Sequence, residues 1–362
     1  MKIALITIHY ANSYGGCLQA AATQAVLSRY GEVTILDYKT KDLGKTLNVL
    51  RLGFGIRDFL RVGKDIVRFF PRKRLISKFK KFIYRYYKLS RPIGTVRDLK
   101  AAASKFDVFV CGSDQIWNPN IVGAQDFNYV LEFADGKKIS LSSSMGSFRY
   151  SGKGLAEFKK KLSSFSHIAV REKDLAEELS VELDREVVNT LDPTLLLDKV
   201  QWFDLLGVEA DEREKYIFVY TLKKTDFICR AIDKISMQLG LKVVVIDQDP
   251  FIGFKCDRHV MDASPEDYVK LIAGSSFVLT NSFHGTAFAV NFAVPFITLP
   301  PESGVNRIQS LLDSVGLRNR MIDSIDSIDE LLKLTPDFTG VENKLEALRI
   351  ETFKYLDKAM RE

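Results

Sequence analysis

Residues 277–300, FVLTNSFHGTAFAVNFAVPFITLP, have the pattern of a strand, a turn, a helix and a second strand. The apolar run at the start predicts a buried strand, and the small and apolar residues from Gly285 predict a close-packed helix. His284 would then lie on the turn between them. In open α/β sheets this turn is where ligands bind, because loops at the carboxyl ends of parallel strands line the crevice. The helix N-terminus adds N–H groups and a partial positive charge, which suit a phosphate or carboxylate.

The same alternation of strands and helices extends along the chain. Strands are predicted at KIALITI, VTILDY, FDVFVCG, KKISLSSS and SHIAV, and again at KYIFVYTL, LKVVVID, SFVLT and VPFITLP. This alternation is typical of parallel sheets with helices on both faces. Because 362 residues exceed one ordinary core, we predict an α/β fold of two Rossmann-type doubly wound domains facing a cleft. The domains are residues 1–190 and 200–335, VVNTLDPTLLLD connects them, and a helix over 341–362 packs back on the body.

Three helices have clear sequence signals. Residues from about Cys17 to Arg29 and from about Asp226 to Leu239 have helical spacing of apolar positions. The third begins at Ser264–Asp267, where a cap residue, a proline and two acids follow one another.

The composition is that of an ordinary globular protein, with 46% hydrophobic and 27% charged residues. No apolar run approaches the roughly 20 residues that span a bilayer. The apolar part of the N-terminus is short and lacks a small-residue cleavage site, so it predicts a strand and no signal peptide. The four cysteines contain no C-x-x-C pair. We therefore expect a cytoplasmic protein without structural zinc.

The net charge of +6 is unevenly distributed. Residues 51–91 contain fourteen Lys or Arg against two acids, an excess of twelve, so the remainder of the chain is net acidic by six. Aromatic residues are interleaved with these cations. The basic insertion, about 51–92, predicts cationic helices packed on the N-terminal domain, a face for an anionic membrane surface or a partner, or both. No nucleic-acid-binding motif accompanies the charge, so nucleic acid is not expected.

The first loop, HYANSYGGCLQ, contains residues suited to close approach by a ligand: Asn12, Gly15 and Gly16. The G-x-G-x-x-G and G-x-x-x-x-G-K-[ST] spacings are absent, which argues against a dinucleotide or an ordinary ATP loop. Cys17 follows at the predicted helix start, where we expect it to be a packing residue.

A second loop, in VFVCGSDQIWNP, follows a predicted strand and contains Ser113, Asp114, Gln115 and Trp117. Polar side chains beside an exposed aromatic ring are what sugar recognition needs, since hydroxyls bond to the polar groups and the ring stacks on the sugar. The alternative is that Trp117 fills a seam between domains.

Arg171 follows the predicted strand in HIAVREKD and suits bidentate binding of an anion. The alternative is a salt bridge to Glu172 or Asp174. We do not expect that pair, because side chains so close in sequence rarely face each other.

His284 is the strongest candidate for catalysis, because Asn281 and Ser282 precede it and Gly285 follows it. His9, at the end of the first strand, is a second candidate. The other two histidines lack such a context.

Six stretches occur in an order and at spacings that resemble the polysaccharide pyruvyl transferase family: NSYGGCLQA, GSDQIWNP, VREKD, LDPTLLL, TNSFHGTAF and NRIQSLLDSVGL. The resemblance implies a GT-B-like pair of Rossmann-type domains. It implies phosphoenolpyruvate as donor and, as acceptor, a sugar of a cell-surface polysaccharide or its lipid-linked precursor. The product would be a pyruvate ketal bridging two hydroxyls, with phosphate released. Phosphoenolpyruvate is a co-substrate, so no cofactor is expected, and no metal ligand is assigned.

The resemblance also implies roles for individual residues. Donor binding would fall to Arg171, Asn281, Ser282, Gly285 and Arg307, and acceptor binding to Asn12, Gly15, Gly16, Ser113, Asp114, Gln115 and Trp117. His284 would be the general acid that protonates the methylene carbon, a contribution of about 10²–10⁴-fold. A neighbouring phosphate favours its charged form. Phe283 stands where many relatives have Arg, which removes one expected cation.

Two other classes of function are compatible with these residues. A glycosyltransferase of the same architecture would bind a nucleotide diphosphate and ignore phosphoenolpyruvate. A non-catalytic carbohydrate-binding protein would keep its function after His284→Ala. For a pyruvyl transferase, we hypothesise that the basic insertion docks the enzyme on the inner face of the plasma membrane, where lipid-linked acceptors would lie.

Overall fold

The computed structural model describes residues 1–50, 56–123, 126–209, 214–301, 304–334 and 336–362, with the backbone alone at 41–42 and 56–61. The chain forms two compact units. Unit 1 comprises Met1–Leu47, Ile83–Leu197 and Glu346–Glu362, and unit 2 comprises Asn48–Phe82 and Asp198–Leu345. Residues 48–82, which the prediction placed with the N-terminal domain, thus group with unit 2.

The strands of the described residues are short and mostly buried along their whole length, which explains their nearly continuous apolar sequences. They are β1 (Lys2–Ile6), β2 (Glu32–Ile35), β3 (Val108–Cys111), β4 (Lys137–Ser140), β5 (Ala169–Val170), β6 (Val188–Asn189), β7 (Tyr216–Tyr220), β8 (Lys242–Ile246), β9 (Arg258–Val260), β10 (Phe277–Thr280) and β11 (Phe296–Thr298).

Helices connect most of these strands. They are α1 (Tyr14–Leu27), α2 (Lys41–Lys45), α3 (Ile56–Val67), α4 (Phe69–Tyr86), α5 (Val96–Ala103), α6 (Pro119–Val122), α7 (Gly152–Leu162), α8 (Lys173–Leu183), α9 (Lys199–Leu206), α10 (Asp226–Leu239), α11 (Pro265–Ala273), α12 (Phe283–Asn291), α13 (Val305–Val315), α14 (Ile328–Lys333) and α15 (Phe338–Arg361). Short 3₁₀ turns cover Phe127–Val130, Pro193–Leu195 and Arg318–Arg320.

Unit 1 contains a parallel sheet in the order β2-β1-β3-β4. Bridges extend it at both edges, from β2 to Leu89 and from β4 to His167, next to the parallel pair β5-β6. Chain progression reverses between β1 and β3, which is the topological switch point of a Rossmann-type sheet. The two loops that meet there are the first loop and the GSDQIWNP loop.

Unit 2 has the same architecture, with a parallel sheet in the order β11-β10-β7-β8-β9. A bridge from Thr298 to Met321 extends it beyond β11. Progression reverses between β7 and β10, so the His284 turn lies beside this switch point. The predicted α/β class with doubly wound parallel sheets is confirmed.

The last helix packs on unit 1 through its second half. The Tyr355 hydroxyl donates to the carbonyl of Ser140 at 2.6 Å, and Leu191 N–H donates to Thr352 Oγ1 at 3.1 Å. Of the helices that the structure describes, none has both the length and the apolar character needed to cross a membrane.

Candidate functional site

His284 is the second residue of α12 and follows the carboxyl end of β10. Ser282 caps this helix with its side chain, which accepts from Gly285 N–H at 3.5 Å. The His284 side chain is largely buried, with 8% of the residue exposed. The strand, turn and helix predicted from the sequence are therefore present, with the histidine in the first turn, where the N–H groups of a helix carry partial positive charge.

Gly285 is required by the close approach of the helix to β10. A Cβ atom at this position would lie 2.3 Å from Thr280 Oγ1. That hydroxyl donates to the carbonyl of Tyr220 at 2.7 Å and accepts from Ser282 N–H at 3.1 Å. The helix start is thus fixed against the ends of β7 and β10, with no room for a side chain.

Asn281 joins the loops that follow β7 and β10. Its Oδ1 accepts from Leu222 N–H at 2.7 Å, and its Nδ2 donates to the carbonyl of Lys223 at 3.0 Å. The amide predicted to bind the donor therefore holds the β7 loop in place. Thr221, in the same loop, has a buried hydroxyl without a hydrogen-bond partner among the described residues. Thr221 is not predicted from the sequence, because it carries no signal beyond its position after a strand.

Arg307 lies in the first turn of α13, which follows β11, the neighbour of β10 in the sheet. Its guanidinium lies against Gly304, where a Cβ atom would be 2.4 Å from Arg307 Nη2. The predicted donor residues of unit 2 therefore come from two adjacent strand ends.

In unit 1, the first loop ends at Ser13, whose side chain caps α1 by accepting from Gly16 N–H at 3.2 Å. Gly15 and Gly16 form the buried first turn of that helix. A Cβ atom on Gly16 would lie 3.6 Å from Asp114 Oδ2, so the two loops predicted to bind the acceptor meet at the switch point. Asn12 is half-buried and donates its backbone N–H to Thr46 Oγ1 at 3.2 Å.

Trp117 does not have the exposed face that stacking on a sugar requires. It is 1% exposed, its Nε1 donates to the carbonyl of Tyr129 at 3.2 Å, and its ring packs against Phe158 at a centroid distance of 5.5 Å. The sugar-stacking prediction for Trp117 is wrong, because this aromatic ring belongs to the core of unit 1. Gln115 is half-buried, and its Oε1 accepts from Asn118 at 2.9 Å.

Arg171 lies in unit 1, where it is buried against carboxylates. Its Nη1 is 2.6 Å from Asp192 Oδ2, its Nε is 3.7 Å from Glu172 Oε1, and its Nη2 is 3.9 Å from Asp114 Oδ1. Burial opposes the charge, yet these three carboxylates hold the pKa of Arg171 above its ordinary value. The expectation that Glu172 would not pair with it is wrong, because both residues precede α8, where helical spacing does not apply.

Asp192 is a site residue that the sequence analysis missed. Its Oδ2 also accepts from the Ser113 hydroxyl at 3.0 Å, while its Oδ1 accepts from Thr194 N–H at 3.0 Å. The signal was present as Asp-Pro, since Asp before Pro193 is typical of a helical start. The sequence predicts a connection between domains here, and the boundary between the units lies near its end, with residues 187–197 in unit 1 and Asp198 in unit 2.

His9 is a buried residue at the end of β1. Its Nε2 lies 3.0 Å from Asp37 Oδ1 and its Nδ1 lies 3.1 Å from the carbonyl of Thr7. Burial would raise the pKa of Asp37, but hydrogen bonds from His9 and Lys39 bring it below its ordinary value. Both ring nitrogens of His9 thus lie within hydrogen-bonding distance of buried oxygens of unit 1, and a catalytic role for His9 stays a prediction. Among the described residues, no three His, Cys, Asp or Glu side chains are grouped so as to hold a metal ion.

Two solved structures with similar folds contain a bound nucleotide sugar. The UDP-GlcNAc 2-epimerase from Neisseria meningitidis, bound to UDP-GlcNAc, matches with a TM-score of 0.56 and 10% identity over 98% of this chain and 100% of that one. Arabidopsis thaliana UGT89C1, complexed with UDP-L-rhamnose, matches with a TM-score of 0.53 and 12% identity over 99% and 98%. At these identities the likeness shows the fold alone, which is GT-B-like as predicted.

The chain spans 64% of a Thermobaculum terrenum O-GlcNAc transferase mutant, with 14% identity and a TM-score of 0.44, too low for a comparison of folds. No curated protein matches the chain. The family model for polysaccharide pyruvyl transferase matches residues 14–303, which include the GSDQIWNP loop, the Arg171 cluster and the His284 turn. On this match, the chain belongs to the polysaccharide pyruvyl transferase family.

Proposed function

We propose that this protein transfers pyruvate from phosphoenolpyruvate to a sugar of a cell-surface polysaccharide or its lipid-linked precursor. The observation that carries the proposal is the His284 turn, a histidine in the first turn of a helix at a topological switch point. The Thr221 hydroxyl, buried and without a partner among the described residues, adds a polar group beside the same turn. Family membership supports pyruvyl transfer as the reaction class.

The reaction requires a proton on one side of the donor and a leaving phosphate on the other. His284, as general acid, gives a proton to the methylene carbon, which becomes a methyl group and leaves an oxocarbenium-like centre. One sugar hydroxyl adds to this centre. A second hydroxyl then displaces phosphate from the same carbon, which closes the ketal. The two hydroxyls lose two protons, of which one balances the methyl group and the other leaves with phosphate.

The donor is an anion, and unit 2 supplies groups that suit it. The first turns of α12 and α13 present N–H groups, and Arg307 adds a cation in the second of these turns. Phe283 provides no charge. We propose that Lys223 replaces the missing cation, because its side chain is exposed and its carbonyl is bound to Asn281 at the same turn.

The acceptor is assigned to unit 1. Asn12, Gly15, Gly16 and Asp114 lie where the two switch-point loops meet, and Asp114 is partly exposed. We propose that Arg171 acts through Asp114, whose carboxylate it holds in place, and that it does not itself bind phosphoenolpyruvate. Its buried contacts with Asp192 and Glu172 support this positioning role.

Calorimetry with phosphoenolpyruvate, UDP and GDP tests the donor. We expect phosphoenolpyruvate alone to bind, with weaker binding after Arg307→Ala or Lys223→Ala. The matched control is Lys215→Ala, a lysine of unit 2 at the opposite, amino-terminal end of β7, which should bind as the parent does. The likeness to nucleotide-sugar enzymes makes a glycosyltransferase the second candidate. Binding of UDP or GDP with indifference to phosphoenolpyruvate would establish that candidate and refute pyruvyl transfer.

A further inference from the structure

The junction of α3 and α4, in unit 2, exposes apolar side chains. Ile66, Val67 and Phe70 are 63%, 68% and 72% exposed. Phe69 is half-buried, and its ring lies edge-on to Phe70 with centroids 5.5 Å apart. We call Ile66, Val67 and Phe70 the junction patch. A cluster of large apolar side chains in solvent marks a surface that something else covers.

The opposite side of the junction buries charge. Asp65 is fully buried and accepts from Arg68 Nη2 at 2.9 Å. Arg72 is 1% exposed, and its Nη2 donates to the carbonyl of Asn48 at 2.7 Å. Its Nη1 donates to Gln248 Oε1 at 3.0 Å.

The usual polarity of a surface helix is therefore inverted at this point, with ionic groups inside and apolar groups outside. Loss of one partner of a buried ion pair strongly destabilises the folded protein. The buried bonds of Asp65 and Arg72 therefore fix the rotation of α3 and α4 about their axes at this junction. The patch cannot turn inward without breaking these bonds.

Exposed cations continue from the patch along α4. Between Lys64 and Lys81 the chain has eight Lys or Arg and one acid. Lys64 and Arg74 lie 3.5 and 2.5 Å from Asp249 and Asp262 of unit 2. Lys73, Lys80 and Lys81 are exposed, and no acidic side chain in the described part of the chain pairs with them. The occupant of this surface must therefore accept apolar side chains and carry negative charge.

We propose that the junction patch inserts into the interfacial region of an anionic lipid bilayer while the lysines of α4 bind its headgroups. A bilayer offers both an apolar layer and negative charge. A second copy of the chain, packed symmetrically on the patch, would bring like charges together. The proposal narrows the predicted role of the basic insertion to three inserting residues and a cationic helix face.

Vesicle flotation with the full chain tests this inference. We expect binding to vesicles of phosphatidylcholine mixed with phosphatidylglycerol, weakening as salt is added, and little binding to phosphatidylcholine alone. Replacing Lys73, Lys80 and Lys81 by Gln should lower the partition coefficient about a hundredfold. Replacing the junction patch by Ser should lower it about tenfold or more. Met237→Ser is the matched control, since Met237 is 82% exposed on α10 of the same unit and should have no effect.

A tryptophan at the patch reports insertion directly. Fluorescence of Phe70→Trp should be quenched by lipids brominated in their acyl chains. Absence of binding to anionic vesicles would overturn the proposal. Binding that depends on the lysines and not on the patch would refute insertion. A change of molecular mass in the serine variant, without vesicle binding, would show that a second copy covers the patch. Phosphoenolpyruvate binding should be unchanged in all of these variants, which separates this proposal from the proposed function.

Discussion

At the carboxyl edge of the unit 1 sheet, Arg171 is buried among Asp192, Glu172 and Asp114, whereas at the corresponding edge of unit 2 His284 occupies the first turn of a helix. The bonds that hold the second edge come from neutral groups, the side chains of Asn281 and Ser282 among them. Two sheets with the same order of strands thus treat charge differently at their carboxyl edges. One edge compensates its cation within the protein, and the other presents the partial positive charge of a helix.

This difference predicts that the two edges bind ligands of different charge. A cation already paired with buried carboxylates gains little binding energy from an incoming anion, because those carboxylates already neutralise its charge. A helix N-terminus without a carboxylate cap gains more from one. The comparison therefore supports the proposal that unit 2 binds the anionic donor and that unit 1 holds a preorganised carboxylate for the acceptor.

The largest expected effect is on His284. We expect His284→Gln to lower the rate of phosphate release from phosphoenolpyruvate by about 10²–10⁴-fold, because the general acid is lost. Steady-state phosphate release with acceptor present measures this. Thermal unfolding should be little changed, since Gln is polar and of similar size.

His259→Gln is the control for this prediction. His259 is in unit 2, and its Nε2 bonds only the carbonyl of Asp247 among the contacts described. We expect its replacement to leave the rate within about twofold. Equal losses in both variants would contradict a catalytic role for His284 and break the contrast between the edges.

The second effect is on Arg171. We expect Arg171→Met to lower the free energy of unfolding by about 3–5 kcal/mol, because buried carboxylates lose their counter-charge. Urea denaturation measures this loss. Arg149→Met is the control, since Arg149 pairs with Asp174 and Glu178 near the surface and should contribute about 0–1 kcal/mol.

A double-mutant cycle with Asp192→Asn sharpens the prediction for Arg171. Removing both charges should recover part of the stability lost with Arg171 alone. Arg171→Met could instead unfold like the parent protein but fail to bind phosphoenolpyruvate. In that case the donor role implied by the family resemblance would be correct, and the carboxyl edge of the unit 1 sheet would be the donor site.

Sequence patterns predicted the parts of this molecule that local physics determines. The apolar runs gave the strands, and the helix Asp226–Leu239 has the bounds that its spacing predicted. The first helix begins at Tyr14, where Ser13 caps it, and not near Cys17 as predicted. The prediction differs because Gly15 and Gly16 are typical of a loop, whereas they form the first turn of the helix. The cap at Ser264 was recognised because proline and acids follow it.

Contacts between residues distant in sequence were beyond these patterns. Asp192 pairs with Arg171 from 21 positions away, and no local spacing announces it. Trp117 was assigned to a sugar because its neighbours are polar, but the walls that bury it come from α7 and from Phe165. A loop sequence gives the chemistry of its side chains, and the packing of other elements decides which of them reach solvent.

Substitution of Gly285 tests how closely the start of α12 must pack against β10 at the carboxyl edge of the unit 2 sheet. We expect Gly285→Ala to destabilise the protein by about 1–3 kcal/mol and to weaken phosphoenolpyruvate binding, because the new Cβ displaces the helix start from Thr280. Urea denaturation and calorimetry measure the two effects. Gly63→Ala is the control, since Gly63 lies in α3 with nothing within 4 Å of its missing Cβ and should gain up to about 1 kcal/mol. Unchanged binding in Gly285→Ala would separate the helix start from the donor site.

The smallest expected effect is on the stability of the protein in acid, through the carboxylate of Asp37 in unit 1. The pKa of Asp37 lies below its ordinary value of 3.8: burial opposes this, but His9 and Lys39 donate to the carboxylate. A carboxyl whose pKa is lower in the folded state adds stability that is complete above its unfolded pKa. This stability is lost as the pH falls through the folded pKa.

We therefore expect Asp37→Asn to be less stable than the parent near neutral pH, with the difference shrinking once the pH falls below 3.8. Urea denaturation across pH measures this. Glu177→Gln, an exposed residue of α8, should show little pH-dependent difference. If the deficit of Asp37→Asn were constant down to strong acid, the compensation of charge at the unit 1 edge would not include the pair of His9 and Asp37.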